Sequence, residues 1–302
     1  MRSVELVEVA ARDGLQNDPA ELTTAAKVEL VARVVAAGAR RVEVTSFVSR
    51  AAVPKMADAE AVVAALRERD LGGARLIGLV VNHRGVERAA AAGVDEVNAV
   101  VVATDTFNRR NQGVATSETL ARLPELVGAA HAAGLAASVT VAAAFGCPFE
   151  GEVPLGRLAE VVAGVVAAGP DEVALADTIG VAVPPDVALR VPLVRELAGP
   201  DRPLRAHFHA TRNTAIANAL AAVETGVASL DASLGGLGGC PFAPAATGNV
   251  ATEDLVYALG RSSVDHGLDL PALLEVSRWL AGAVGHGLPA ALPRAGVFPP
   301  PA

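Results

Sequence analysis

Lysine is almost missing from this chain of 302 residues: Lys27 and Lys55 are the only two, and arginine supplies the other cations. Aromatic residues make up 3%, too few for a surface on which nucleic-acid bases stack. A net charge of -8 also argues against a protein that tracks a phosphate backbone, so no nucleic-acid partner is expected. Cysteine is limited to Cys147 and Cys240, which excludes a disulfide framework and points to free thiols in a cytoplasmic setting. No apolar run reaches the roughly 18 residues of a membrane-spanning helix, because charge or proline interrupts each one. The opening Met1-Arg2-Ser3-Val4-Glu5 lacks the apolar stretch of a secretory signal. A glycine-rich G-x-G-x-x-G turn is missing too. The first candidate strand runs instead into Ala11-Arg12-Asp13-Gly14-Leu15-Gln16-Asn17, so a dinucleotide-binding open sheet is not expected.

What is present is a hydrophobic content of 52% arranged in a repeating rhythm. Short β-branched runs fall at 4–9, 41–45, 75–81, 96–102, 137–143, 172–176, 204–209 and 228–233. Ala-rich helical stretches lie between them. Four of those stretches end in Ala-Ala-Gly, at Gly38, Gly93, Gly134 and Gly169, where glycine supplies a left-handed cap before the chain re-enters the sheet. Eight such units predict an α/β fold, a (β/α)8 TIM barrel, over residues 1–287, with an additional C-terminal helix near 271–284. Residues 288–302 read as a Pro-rich C-terminal tail, loosely ordered from 291 on.

A barrel places its chemistry at the C-terminal ends of its strands, and the unusual polar residues fall there. Arg12 and Asp13 follow the first strand, Glu43 and Thr45 close the second, and Asp177 and Thr178 follow the sixth. His207-Phe208-His209 ends the seventh. Side chains alternate along a strand, so both imidazoles face one way and can share a divalent cation; a pair of hydrogen-bonded strand histidines is the plainer alternative. Asp13 would add a carboxylate and Asn249 an amide oxygen, a mixed N/O set suited to Mg2+ or Mn2+. Glu43 reads as the partner that orients Arg12. Cys240 lies in Gly235-Gly236-Leu237-Gly238-Gly239-Cys240, where a thiol can serve as a proton donor, and Cys147 reads as structural. Asn108-Arg109-Arg110-Asn111 is either a solvated loop or a clamp for an anion.

These stretches resemble the 3-hydroxy-3-methylglutaryl-CoA lyase family, one of the metal-dependent lyase barrels, over residues 4–285. The similarity rests on residues 12–17, 42–58, 146–151 and 177–181, and most of all on 236–242 continuing through 247–254. It implies that Asp13, His207, His209 and Asn249 bind a divalent cation. It also implies that Arg12 stabilises an enolate, that Cys240 rides on a mobile loop, and that Glu43 and Asp177 belong to the catalytic pocket, with His207 or Asp177 as base. The implied reaction is retro-Claisen cleavage of 3-hydroxy-3-methylglutaryl-CoA to acetyl-CoA and acetoacetate, by an enzyme that takes an acyl-CoA and forms a homodimer. Three other readings stay open: a lyase for citramalyl-CoA, a condensing synthase, and a non-catalytic metal-binding barrel. The family pattern His-x-His-Asp-Thr becomes His207-Phe208-His209-Ala210-Thr211-Arg212 here, so a carboxylate beside the cation is expected to be missing. Arg212 is a candidate holder of a substrate carboxylate.

Overall fold

A computed structural model describes residues 2–239 and 248–299. Eight parallel strands close into a barrel: β1 (Glu5–Glu8), β2 (Arg41–Ser46), β3 (Arg75–Val80), β4 (Glu96–Val102), β5 (Ala136–Ala142), β6 (Glu172–Asp177), β7 (Leu204–Phe208) and β8 (Ser229–Ala232). Closure comes from β8 pairing with β1, Ser229 opposite Glu5 and Ala232 opposite Glu8. The covering helices are α1 (Thr24–Ala36), α2 (Ala59–Arg67), α3 (His83–Ala92), α4 (Thr116–Ala132), α5 (Leu155–Ala167), α6 (Pro184–Ala198), α7 (Ala215–Glu224) and α8 (Thr252–Arg261). The additional C-terminal helix is α9 (Leu270–Val284). Local chemistry sets the helix ends. Asn82 accepts a hydrogen bond from Gly85 N at the start of α3, and Gly93 closes that helix at φ 90°, a conformation a side chain would strain. Among the described residues no helix is long and apolar enough to cross a membrane.

The strands sort their residues by face. Val42 and Val44 of β2 join the large core between barrel and helices, while Arg41 and Glu43 point into the barrel. Inside, among the described residues, the separate buried apolar cluster is Val7, Val9 and Ile77. A column of ion pairs takes the place of the usual packed aliphatic layers. Arg41 Nη2 lies 2.9 Å from Glu96 and 2.8 Å from Glu172. Arg205 Nε lies 3.2 Å from the same Glu172, and its Nη1 lies 3.4 Å from Asp231. Burial works to raise the Glu172 carboxyl, but Arg205 and Arg41 outweigh it and hold it at about 2.

Two expectations change. The seventh strand stops at Phe208, and His209 forms an isolated bridge with Asn249, because the chain returning from the loop after β8 pairs there. The tail is also better anchored than its prolines suggest. Ala291 N and Leu292 N donate to the Asp254 carboxylate at 2.8 and 2.7 Å, and Leu292–Ala295 is helical.

Candidate active site

Beyond β1 the chain tightens into a π-helical turn, Ala10–Gly14, in which the Val9 carbonyl accepts from Arg12, Asp13 and Gly14 N–H. The turn lifts Arg12 and Asp13 over the barrel mouth. Gly14 permits the close approach of the loop after β8, since a Cβ there would meet Ser233 Oγ at 2.9 Å. Asp13 thereby reaches the two histidines. Ligand atoms of Asp13, His207 and His209 all lie within 4.8 Å of one another, and the two rings are 5.0 Å apart by their centroids. Burial works to raise Asp13, but Arg12, both histidines and a 2.7 Å hydrogen bond from Asn249 Nδ2 bring it to about 2. The carboxylate is thereby held in its ionised form.

Asn249 tests whether a cation fits. It is buried beside Asp13, and its Oδ1 has no hydrogen-bond partner among the described residues. A buried amide oxygen without a donor is costly unless something positive satisfies it. Gly238, at φ +118°, is what lets Asn249 sit there, because a Cβ would come within 2.6 Å of Asn249 Nδ2. One carboxylate, two imidazoles and this oxygen form a donor set that a divalent ion of borderline hardness would accept.

Arg12 is fixed from two sides. Its Nε donates to Glu43 Oε2 at 2.6 Å, and its Nη1 donates to Asp13 Oδ1 at 2.8 Å. Glu43 also accepts from Asn98 Nδ2 at 3.2 Å, so the inward carboxylate of β2 orients the guanidinium as expected. Arg12, Asp13, His207 and His209 line a cavity of about 490 Å³, with Asn98, Thr140 and Thr178 on its walls.

Other residues fall elsewhere. Asp177 does not line this cavity. It is fully buried, and its two oxygens accept from Val181 N at 2.9 Å and Ala182 N at 3.0 Å, which fastens the loop after β6. Arg212 donates to the carbonyls of Ile179 and Gly180 and ties down the same loop. Residues 108–111 are helical rather than a loop. Asn108 is buried against Thr119, Arg110 stacks on Phe149 at 4.1 Å, and of the four only Asn111 reaches the cavity. Cys147 is buried and accepts from Thr104. Cys240 lies outside the described residues.

The sequence reading missed Asp231 and Glu8. Asp231 Oδ2 sits 3.1 Å from His207 Nδ1, so the histidine has a carboxylate behind it although Ala210 follows His209. Burial works to lower His207, yet the bond and charge of Asp231, joined by Asp13, raise it overall. Polar residues alternate at Ser229, Asp231 and Ser233, a signal that this strand face is not a packed core. Glu8 is a junction. Its carboxylate accepts from Ala10 N and Leu234 N at 2.8 and 3.0 Å and from Thr252 Oγ1 at 2.7 Å. It thereby joins the Arg12–Asp13 turn to both ends of the loop after β8.

Burial, assisted by the charge of Glu253, raises Glu8 to about 7 from an ordinary 4.5. The folded state therefore keeps a proton that the unfolded chain gives up. This contribution to stability is complete below pH 4.5 and lost as pH climbs through 7. Glu8→Gln cannot ionise. Its stability relative to the parent is expected to rise by about 2.5 kcal/mol between pH 5 and 8, measured by urea unfolding. A difference that stays flat across that range would show that Glu8 does not titrate there.

An eight-stranded barrel thus carries a candidate donor cluster for a cation and a fixed arginine at its mouth, and the proteins it is similar to are carbon–carbon lyases. Residues 3–280 match the HMGL-like family model. The chain belongs to that family. It is 44% identical to an (R)-citramalyl-CoA lyase from Chloroflexus aurantiacus, over 99% of this chain and 97% of that one. It is 36% identical to hydroxymethylglutaryl-CoA lyase YngG of Bacillus subtilis, over 95% of each. A solved HMG-CoA lyase from Acinetobacter baumannii, in complex with coenzyme A and 3-methylmalate, superposes with a TM-score of 0.93 at 37% identity, over 99% of this chain and 97% of that one.

Proposed function

We propose that the protein cleaves a branched 3-hydroxyacyl-CoA by a retro-Claisen reaction, with (R)-citramalyl-CoA as its substrate and acetyl-CoA and pyruvate as its products. The observation that carries the reaction is the convergence of Asp13, His207 and His209 beside the Arg12 guanidinium in one cavity. The choice of acyl group is supported by the 44% identity to the Chloroflexus aurantiacus enzyme. The Acinetobacter baumannii structure adds support, since 3-methylmalate is a five-carbon hydroxy diacid like citramalate.

Asp13, His207, His209 and Asn249 would hold Mg2+ or Mn2+. Bound there, the ion would supply Lewis acidity toward a substrate hydroxyl and its neighbouring carboxylate. Of the two base candidates, His207 lines the cavity and Asp177 does not. As the carbon–carbon bond breaks, its electrons move onto the thioester carbonyl. Arg12 faces that developing charge with the N–H groups left over from Glu43 and Asp13. Cys240 is assigned the return of a proton to the acetyl-CoA enolate.

The purified protein with Mn2+ is expected to release pyruvate and CoA-bound acetate from (R)-citramalyl-CoA. Its kcat/KM should exceed that for 3-hydroxy-3-methylglutaryl-CoA by about tenfold or more, the discrimination one methylene can give. Acetoacetate released from the latter at equal or higher efficiency would instead make this a hydroxymethylglutaryl-CoA lyase. Inertness toward both would remove the lyase assignment for these substrates.

A further inference from the structure

We infer that Arg205, buried one layer beneath the mouth, is a positioning residue of the donor cluster: it fixes Asp231, which in turn fixes His207. The inference rests on reading Asp13, His207 and His209 as cation donors. Arg205 and His207 stand two apart on β7 and so share its inner face. Asp231 is the register partner of His207 on β8. The two oxygens of Asp231 are divided between them. Oδ2 meets His207 Nδ1 at 3.1 Å, and Oδ1 lies 3.4 Å from Arg205 Nη1 with no hydrogen bond of its own. One oxygen is thus held by charge alone, and Arg205 supplies that charge.

Arg205 is itself clamped. It is 2% exposed, it meets Glu172 at 3.2 Å on β6, and it donates from Nη2 to Ser138 Oγ at 3.2 Å across the barrel on β5. Stability does not account for such an arrangement. Buried ion pairs are on the whole no better than apolar packing of the same volume, and a barrel interior is ordinarily filled with aliphatic side chains. Geometry does account for it. A carboxylate deprived of Arg205 would lose the pull from below and be drawn toward the Arg12 guanidinium as well as the His207 ring, since the charge of Asp231 already bears on Arg12. Turning toward Arg12, it would release Nδ1 of His207 and leave the ring free to rotate away from Asp13 and His209. The carboxylate behind a ligating histidine normally sets both its tautomer and its orientation. Here the arginine below keeps that carboxylate facing the ring.

The experiment measures Mn2+ binding by electron paramagnetic resonance, with no substrate present. Arg205→Met is expected to weaken Mn2+ binding by about 10–100-fold, the loss typical when an outer partner of a ligand is removed. Asp231→Asn should do the same, and Arg205→Met added to Asp231→Asn should cost less than about twofold more. Arg205→Gln can still donate to Ser138 but carries no charge, and it serves if the methionine variant fails to fold. It should lose as much Mn2+ affinity as Arg205→Met, whereas Arg205→Lys should stay within about threefold of the parent. Full affinity in both uncharged variants would overturn the inference, as would a double variant weakened by the full product of the single losses. A parent protein that binds no Mn2+ would instead remove the reading of the donor cluster on which the inference depends.

Discussion

Replacing His209 by alanine is expected to strip the protein of bound Mn2+ and to lower turnover by at least about a thousandfold. That factor corresponds to the several kcal/mol of charge stabilisation a catalytic cation provides. The reason lies in the geometry. His209 directly follows the last residue of β7 and is pinned by its bridge to Asn249, so its ring is placed by two chain segments at once. Phe208 is the control. It is 1% exposed and packs against Phe145 on the opposite side of the strand, with ring centroids 5.8 Å apart. Phe208→Leu should therefore lower stability by about 1 kcal/mol and leave Mn2+ affinity unchanged. An alanine variant at 209 that holds Mn2+ as tightly as the parent would remove the metal assignment.

Arg12→Gln is expected to reduce kcat by about 10²–10³-fold while KM moves far less. The charge that Arg12 faces exists only once the carbon–carbon bond begins to break, so the loss falls on the transition state. Glu43 and Asp13 hold the guanidinium rigidly, and no reorganisation is needed at that moment. The variant should also be less stable. Burial already raises Glu43 above its ordinary value, and Arg12 is the stronger of the two cations, with Arg205, that oppose this. Unfolding measurements separate that effect from catalysis. Near-normal kcat with a raised KM would make Arg12 a ground-state binding residue instead.

The barrel was legible because its local signals repeat: β-branched runs, Ala-rich helices and glycine caps agree with one another along the chain. The mouth was legible in part, since Arg12, Asp13, Glu43 and His207 sit at strand ends whose direction the fold dictates. Asp177 shows why the rest was harder. An Asp-Thr after a strand reads the same whether the carboxylate faces a cavity or receives the two main-chain N–H groups of its own loop, and here it does the latter. The end of β7 was misjudged because the bridge at His209 depends on a segment forty residues later, which no local pattern announces. Asp231, Glu8 and Arg205 were overlooked although each is a charged residue within or beside an apolar strand. That placement is costly unless a partner waits inside, and it was the available clue.

Asp13 and Asn249 touch across a sequence separation of 236 residues, by way of the seam between β8 and β1. That seam would govern when the proposed donor set could first capture a cation. A growing chain has Asp13 at the outset but gains the two histidines only after five further strands, and Asn249 last of all. Until the final strand docks on the first, the donors are strangers tethered by long, floppy loops whose closure is entropically expensive. An ion held by these donors would therefore be a latecomer to folding. It cannot seed the barrel, and it rewards only a chain that has already closed, by binding the native state and not the open one. Cellular ions consequently select for finished molecules, and depletion of the ion would be felt as faster loss of the closed form rather than as a failure to build it.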